Sequence, residues 1–359
     1  MKIIQLNKAY WPHIGGIETI VRQMAIGLGI DVLACNEGCR RQERTDGPAR
    51  VFLARSWGKI WSLPVSGDFF WWFKKLVKSY DAVFLHEPFP LGSLAVWLFA
   101  RQKPLFIYYH SDIVRQKLGA LILSPLVKAN LRRAKMVFVS SQRMIDNSKW
   151  LLAVKDKCQV LPFGLEKSEY ALSAELQKQA DDLRNVHGRF ALAVGRLVYY
   201  KGFSYLISAW QNVAAKLIIV GSGFLEKQLK KQARELGLAE KIVFVPWVAD
   251  LRPYYLASDF LVLPSCAPSE AFGLVQLSAL AYGRPVINTE LNTGVSEVSL
   301  DGVSGLTVAP RDADALHRAI NLLLTDDHLR ERLGVGAKER FLVNYRLEQF
   351  LEKLKASLN

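Results

Sequence analysis

The sequence is poor in cysteine, with four in 359 residues. So few thiols exclude a disulfide scaffold, in which cross-links replace a large hydrophobic core. The two that lie close together lack a second Cys/His pair that would complete a zinc site. We therefore expect reduced thiols in a cytoplasmic protein. The four are Cys35, Cys39, Cys158 and Cys266.

Long uncharged apolar runs are also missing. A membrane-spanning helix needs roughly 18 consecutive apolar residues, and the best candidate, 91–109, is interrupted by Arg101, Lys103 and Pro104. Residues 1–7 have the pattern of a buried strand and lack the cleavage site of a secretory leader. The sequence thus predicts a protein that neither spans a membrane nor is exported.

The usual signatures of metalloproteases and serine hydrolases are absent too. Neither His-Glu-x-x-His nor Gly-x-Ser-x-Gly occurs in the sequence. One acidic pair, Asp312 and Asp314, resembles a metal motif but directly precedes a helical run at 315–320. That position favours helix capping over metal binding.

Basic residues are present in excess, and the excess lies in the first half. Residues 1–165 contain 24 Lys and Arg against 11 Asp and Glu, whereas residues 166–359 contain 23 against 22. The net charge of the first half is therefore +13 of the total +14. We expect that half to contact an anionic partner, such as a phosphorylated substrate, a lipid surface or nucleic acid.

Short β-branched and aromatic runs alternate with helical stretches in each half of the chain. Continuous apolar strands separated by helices are typical of a parallel sheet covered on both faces. With a length suited to two domains, the sequence predicts an α/β protein of two Rossmann-like doubly wound lobes. We assign 1–165 to the first lobe, 166–188 to a linker region, 189–340 to the second lobe and 341–359 to a C-terminal helix that packs back on the first. Ligands of such sheets bind at the carboxyl ends of the strands, so the cleft between the lobes is the predicted site.

Two candidates for this site lie in the first half. Gly15 and Gly16 follow the first strand and begin a helix, where glycine lets a ligand approach the backbone and free N–H groups attract phosphate. A tight turn without a ligand explains the same pattern. His110 ends a strand, where it is either structural or a hydrogen-bonding and proton-carrying group for a substrate.

The second half offers two loops at strand ends. Arg196 and Lys201 are two cations on one loop, suited to a diphosphate, although a solvated basic loop is the simpler interpretation. Glu270 lies before Gly273 and Leu274, which begin a helix whose amides are able to bind an anion. The alternative interpretation is that Glu270 is merely a carboxylate favoured by the dipole at a helix N-terminus.

Aromatic residues alternate with lysines between residues 57 and 78. Rings that enter the headgroup region and lysines that meet anionic lipid are typical of an interfacial membrane contact. Core packing would bury some of these rings, but four aromatics in a row cannot all face one interior. The candidate membrane contacts are Trp57, Trp61, Trp71, Trp72, Lys74 and Lys75.

In their order and spacing these motifs resemble the retaining glycosyltransferases of the GT-B fold, family four. The resemblance rests on Gly15-Gly16, His110, Gly195-Arg196 with Lys201-Gly202, 219–223 and 269–273, and it extends over essentially the whole chain. The segments 283–287, 297–298 and 301–306 resemble the family as well. Bacterial mannosyl- and rhamnosyltransferases of surface-polysaccharide assembly are the most similar group.

The resemblance implies transfer of a hexose or deoxyhexose, with mannose favoured, from a nucleoside diphosphate to a lipid-linked or surface-polysaccharide acceptor. It implies that Arg196 and Lys201 neutralise the diphosphate, while Gly16 and the amides near Phe272, Gly273 and Leu274 approach it. It also implies that Glu270 holds hydroxyls of the transferred sugar and that His110 contacts this sugar. No cofactor or metal is expected, because fixed cations and amides serve the departing diphosphate.

One position departs from the family pattern. A second glutamate usually lies eight residues after the first and accepts both ribose hydroxyls, but Ser278 stands there. A serine cannot reproduce a bidentate carboxylate contact.

The main hypothesis is a cytoplasmic enzyme bound peripherally to the anionic inner membrane surface. The alternatives are a catalytically weak sugar-nucleotide-binding paralogue and, less favoured because no recognised nucleic-acid module is present, a basic nucleic-acid-binding protein.

Overall fold

The computed structural model describes the chain except residues 14, 37–39, 61–62, 113–116 and 359, with the backbone alone at 59–60, 63 and 117–123. The chain divides into two compact units. Unit 1 comprises Met1–Phe163 and Phe350–Asn359, and unit 2 comprises Gly164–Gln349.

Among the described residues, unit 1 is built on an eight-stranded sheet in the order β10-β9-β8-β7-β1-β2-β4-β3. Its pairs are parallel except the antiparallel pair of β3 with β4. The strands are β1 (Ile3–Asn7), β2 (Asp31–Asn36), β3 (Gln42–Asp46), β4 (Ala49–Arg55), β5 (Lys59–Ile60), β6 (Leu63–Pro64), β7 (Ala82–Glu87), β8 (Leu105–Tyr109), β9 (Met136–Val139) and β10 (Cys158–Val160), of which β5 and β6 form a separate hairpin. The helices are α1 (Gly16–Leu28), α2 (Gly67–Leu76), α3 (Pro90–Phe99), α4 (Lys117–Arg133) and α5 (Gln142–Asn147).

Unit 2 contains a parallel sheet in the order β13-β12-β11-β14-β15-β16, counted over the described part of the chain. Its strands are β11 (Phe190–Val194), β12 (Lys216–Val220), β13 (Ile242–Val245), β14 (Phe260–Val262), β15 (Val286–Thr289) and β16 (Gly305–Val308). Its helices are α6 (Ala174–His187), α7 (Phe203–Ala209), α8 (Glu226–Glu235), α9 (Arg252–Ala257), α10 (Val275–Ala281), α11 (Val295–Val298), α12 (Ala313–Thr325) and α13 (Asp327–Asn344), followed by α14 (Leu347–Leu358), which runs into unit 1.

The strand order reverses beside the first strand of each unit, β1 and β11, as doubly wound sheets require. The central strands are buried on both faces, which is why their sequences read as continuous apolar runs. The two doubly wound α/β units predicted from the sequence are therefore confirmed.

The unit boundaries differ from the predicted ones at the linker. Segment 166–188 belongs to unit 2, because most of it forms helix α6, which packs against α9 and buries Leu176 and Ala180. At the C-terminus, Ser357 of α14 donates a hydrogen bond of 2.9 Å to Gln159 within unit 1. The predicted capping at Asp312 is confirmed, since its carboxylate accepts a 2.8 Å hydrogen bond from the Ala315 amide at the start of α12.

Candidate active site

Glycines allow the loop after β11 to pack closely on the loop after β14. Gly202 has φ +69°, and a Cβ there would lie 1.9 Å from the Pro264 carbonyl oxygen. Gly195 has φ +153°, and a Cβ there would lie 3.2 Å from Cε of Lys201. The Cys266 amide donates a 2.8 Å hydrogen bond to the Tyr200 carbonyl, which joins the two loops. The turn that carries Lys201 is thus fixed against the adjacent strand end.

This packing brings two of the predicted site residues together. The Lys201 ammonium lies 2.5 Å from Oε2 of Glu270, and both residues are more than nine-tenths buried. The Ser265 hydroxyl donates to the same carboxylate oxygen at 3.2 Å. The Thr293 hydroxyl donates to the Glu270 carbonyl at 2.8 Å and so holds the backbone of the loop. A buried ammonium and carboxylate therefore hold each other in position at the carboxyl ends of parallel strands.

The second cation of the predicted pair has different surroundings. Arg196 is exposed, and its Nη2 donates a 3.0 Å hydrogen bond to the Tyr200 hydroxyl. It has no carboxylate partner within the described residues. The two cations therefore differ in their surroundings, because the charge of Lys201 is balanced by Glu270 whereas Arg196 is exposed.

The segment after Glu270 is a tight turn into a short helix. Phe272 is buried and meets the ring of Tyr345 edge to face at 6.2 Å. Gly273 has φ +74°, and a Cβ there would lie 2.6 Å from Cδ2 of Leu263. Leu274 is the N-cap residue of α10, which is only seven residues long. Packing within unit 2 thus accounts for the glycine at 273.

Ser278 lies on α10 and is half-buried. Burial raises the pKa of the Tyr255 hydroxyl on helix α9, and the neighbouring Ser278 side chain opposes that rise. The serine at this position of the family pattern therefore lies beside a buried tyrosine of α9.

In unit 1, His110 follows β8 and meets a second histidine that the sequence analysis missed. Its Nε2 lies 3.0 Å from Nδ1 of His86, the penultimate residue of β7. The other ring nitrogen of His86, Nε2, lies 3.1 Å from Oε1 of Gln5 on β1. The sequence contains a signal for this residue, because a histidine directly follows the apolar run 82–85. That run forms strand β7, which pairs with β8.

Burial keeps both imidazoles uncharged. Burial lowers the pKa of His86 to about 3. Burial, followed by the charges of His86 and Lys8, holds the pKa of His110 well below its ordinary value. Both rings are therefore neutral near pH 7.

The glycines before α1 have a reason within the protein. Gly15 is the N-cap residue of α1, and a Cβ there would lie 2.2 Å from Oε2 of Glu18. Glu18 is buried, and its Oε1 has no hydrogen-bond partner among the described residues. A side chain at position 15 would therefore displace the Glu18 carboxylate from its place under the start of α1.

The predicted membrane contacts separate into exposed and buried residues. Trp57 and Trp71 are 64% and 47% exposed, and Lys74 and Lys75 on α2 are exposed as well. Trp72 instead packs on Phe52, with ring centroids 5.2 Å apart, so it belongs partly to the interior. Trp61 lies outside the described residues.

A pocket of about 570 Å³ adjoins the exposed tryptophans of unit 1. The Arg41 guanidinium stacks 4.3 Å above the ring of Trp71 and also pairs with Asp68. Three arginines against one carboxylate leave the pocket basic. It is lined by Arg40, Arg41, Arg55, Trp57, Gly67, Asp68 and Trp71.

No described helix is both long and apolar enough to cross a bilayer. No cluster of three or more His, Cys, Asp or Glu suitable for a metal ion occurs in the described ranges.

Two protein-family models match the chain. Residues 14–169 match "Glycosyltransferase Family 4", and residues 176–340 match "Glycosyl transferases group 1".

Curated relatives match over nearly the full length. The chain is 31% identical to the O-antigen chain mannosyltransferase C of Escherichia coli, covering 95% of this chain and 93% of that protein. It is also 31% identical to the D-rhamnosyltransferase WbpZ of Pseudomonas aeruginosa, covering 95% of this chain and 91% of that protein.

Solved structures share the fold. A crystal structure of Anabaena Alr3699/HepE in complex with UDP superposes with a TM-score of 0.81 at 21% identity, covering 100% of this chain and 99% of that one. The sucrose-phosphate synthase of Thermosynechococcus elongatus also gives 0.81 at 21% identity, covering 99% and 98%.

Proposed function

We propose a specific reaction for this chain, which belongs to the family 4 and group 1 glycosyltransferases and has the GT-B fold. It is a retaining enzyme that transfers a hexose or deoxyhexose from a nucleoside diphosphate to a lipid-linked or surface-polysaccharide acceptor. The observation that carries this proposal is the buried pair of Lys201 and Glu270 at the carboxyl ends of adjacent strands of unit 2. Ligands of doubly wound sheets bind at this edge.

The chemistry of the transfer explains why these charges lie together. As the glycosidic bond breaks, positive charge develops on the sugar and negative charge on the departing diphosphate. Donors and charges placed in advance where such charge develops lower the barrier. We assign the diphosphate to Arg196 and Lys201, and the sugar hydroxyls to the carboxylate of Glu270. The Ser265 hydrogen bond and the Lys201 contact orient that carboxylate before substrate binds.

No metal or cofactor is part of this proposal. Arg196 presents a planar fork of N–H donors that fits two phosphate oxygens, and its exposure leaves that fork accessible. Lys201 adds a second cation, which Glu270 shares until a diphosphate binds. The two groups together supply the positive charge that the leaving group requires.

The donor that we favour is a GDP-linked mannose or a related GDP-sugar. Two relatives at 31% identity are named as a mannosyltransferase and a D-rhamnosyltransferase, and both alignments span 95% of this chain. A UDP-sugar is the competing hypothesis. A donor panel distinguishes them: GDP-mannose should release GDP in the presence of acceptor, and turnover with UDP-sugars alone would contradict the assignment.

Ser278 provides a second test of the donor site. If the usual ribose contact is simply lost, Ser278→Glu should add two charge-assisted hydrogen bonds and tighten nucleotide binding about tenfold, or about 1.4 kcal/mol. If another group holds the ribose, the new carboxylate should weaken binding, because it brings an unpaired charge to an occupied site. Calorimetric titration of the best nucleotide decides between them. No binding to either protein would favour the non-catalytic paralogue.

We further propose that the enzyme works at the cytoplasmic face of a membrane, with unit 1 against anionic lipid. The +13 balance of residues 1–165 and the basic pocket beside Trp57 and Trp71 support this proposal. The acceptor would then be presented at the same surface. Sedimentation with anionic vesicles that weakens as salt is added tests the assignment, and absence of binding at low salt would point to an acceptor in solution.

A further inference from the structure

A chain of hydrogen bonds in unit 1 determines which nitrogen of His110 carries hydrogen. It begins at Gln5, whose Nε2 donates to the carbonyls of Val21 at 3.0 Å and Ile30 at 3.3 Å. Carbonyl oxygens only accept, so the nitrogen end of this amide must face them. Its oxygen therefore faces His86 and accepts from Nε2–H of that ring at 3.1 Å.

His86 is uncharged in its buried surroundings. His86 is 1% exposed, and Gln5 supplies it with a neutral amide oxygen rather than a carboxylate. A charged imidazolium in such surroundings is costly. With the hydrogen on Nε2, Nδ1 of His86 has only a lone pair, so Nε2 of His110 must donate the 3.0 Å hydrogen bond between the rings.

The second nitrogen of His110 is then a bare acceptor. His110 is itself buried and neutral, with the Lys8 cation nearby, so its single ring hydrogen is used on His86. Nδ1 of His110 has no hydrogen-bond partner among the described residues. This nitrogen is therefore left with a lone pair that is able to accept a hydrogen bond.

We infer that Gln5 and His86 are positioning residues that fix His110 in its Nε2–H tautomer and thereby make its Nδ1 an acceptor for a hydroxyl of the donor sugar. The assignment of that hydroxyl rests on the proposed function; the tautomer does not. A bare imidazole nitrogen accepts a hydrogen bond from a hydroxyl.

The stacking of the rings fixes their planes as well. The ring of His110 stacks on those of Tyr108 at 4.6 Å and Phe163 at 5.9 Å, and lies nearly parallel to that of His86. Rotation of His110 about its own axis would bring a different nitrogen to His86 and break the 3.0 Å hydrogen bond. The hydrogen-bond chain and the stack thus define one orientation and one tautomer together.

The direct test is long-range ¹⁵N–¹H correlation NMR of the full chain labelled at histidine, with His110 assigned by its loss in His110→Asn. The expected result at pH 7 is hydrogen on Nε2 and none on Nδ1 for His110, and the same for His86. Hydrogen on Nδ1 of His110, or two hydrogens on His86, would overturn the inference. This measurement needs no turnover, so a failed transfer assay would refute the proposed function without touching it.

The substitution Gln5→Glu should reverse the relay, that is, the hydrogen-bond chain from Gln5 through His86 to His110. A carboxylate then replaces the amide oxygen, which favours a charged His86 that donates from both nitrogens. His110 must then accept at Nε2 and carry its hydrogen on Nδ1. We expect that switch in the spectrum and at least a tenfold fall in kcat/KM for the neutral-sugar donor. An unchanged tautomer with unchanged kcat/KM would contradict the relay.

Two further variants separate the relay from general damage to the fold. His86→Asn offers an oxygen acceptor near the position of Nδ1 and should preserve the His110 tautomer and most of the activity, whereas His86→Ala should lose both. Gln211→Glu makes the same change of charge at an exposed position in unit 2 and should alter neither. Equal losses in His86→Asn and His86→Ala would indicate a purely structural role and overturn the assignment. Should Gln5→Glu fail to fold, the spectrum of the unaltered protein still decides.

Discussion

Replacing Lys201 alone by methionine is expected to destabilise unit 2 more than replacing Lys201 by methionine and Glu270 by glutamine together. The single change leaves the carboxylate of Glu270 buried, with the Ser265 hydroxyl at 3.2 Å as its remaining side-chain donor. Removing one partner of a buried ion pair costs about 3 kcal/mol or more. Glu270→Gln leaves the ammonium and should cost about 2 kcal/mol. The double variant buries only neutral groups, so its cost should be about 1–2 kcal/mol.

The assay for this cycle must report on unit 2 alone, because a chain of two units need not unfold in one step. Hydrogen exchange measured by mass spectrometry gives the free energy of opening for peptides of β11 and β14, while peptides of β7 and β8 in unit 1 serve as the internal control. The expected coupling between the two positions is at least about 2 kcal/mol. Single costs that add to within about 0.5 kcal/mol would refute the ion pair.

Three other predictions follow from the surroundings of single residues. Arg196→Ala should lower kcat at least tenfold with no change in unfolding temperature, since the side chain is exposed; activity equal to the unaltered protein would remove it from the diphosphate site. Trp71→Ser should weaken sedimentation with anionic vesicles without lowering stability, whereas Trp72→Ser should lower stability because its ring packs on Phe52. Acid should destabilise unit 1: His86 and His110 have folded pKa values below the unfolded value of about 6.5, so protons bind the unfolded state first as pH falls. Hydrogen exchange of β7 and β8 peptides should show unit 1 losing stability between pH 7 and pH 5, about 2 kcal/mol of it from His86. The slope should be smaller in His86→Asn, and equal slopes would contradict the buried neutral rings.

The central strands of both sheets were predictable because they are buried apolar runs. Ala191–Val194 and Leu217–Val220 have no polar residue to interrupt the pattern, and both fall within strands of unit 2. Strand β3 was missed, since Gln42–Asp46 is an exposed edge strand whose polar sequence carries no burial signal. The helical period of α2 places Phe69 and Phe73, four residues apart, on one buried face and leaves Trp71 exposed on the other.

The residue types of the candidate site can be read from the sequence, but the contacts between these residues cannot. Lys201 and Glu270 are 69 positions apart, so their ion pair depends on how Gly202 packs against Pro264, which no local pattern specifies. The sequence placed His110 at a strand end, yet its protonation depends on two other strands through His86 and Gln5. Long-range packing therefore decides the charge state of groups whose types the sequence already shows.

The central claim is that this chain transfers a sugar from a nucleoside diphosphate with retention of configuration. The most direct measurement is NMR of the product formed from GDP-mannose and a lipid-linked acceptor, with GDP release followed in the same sample. We expect stoichiometric GDP release, a new linkage with the anomeric configuration of the donor, and loss of both in Glu270→Gln. An inverted linkage, or product formation undiminished in Glu270→Gln, would contradict it.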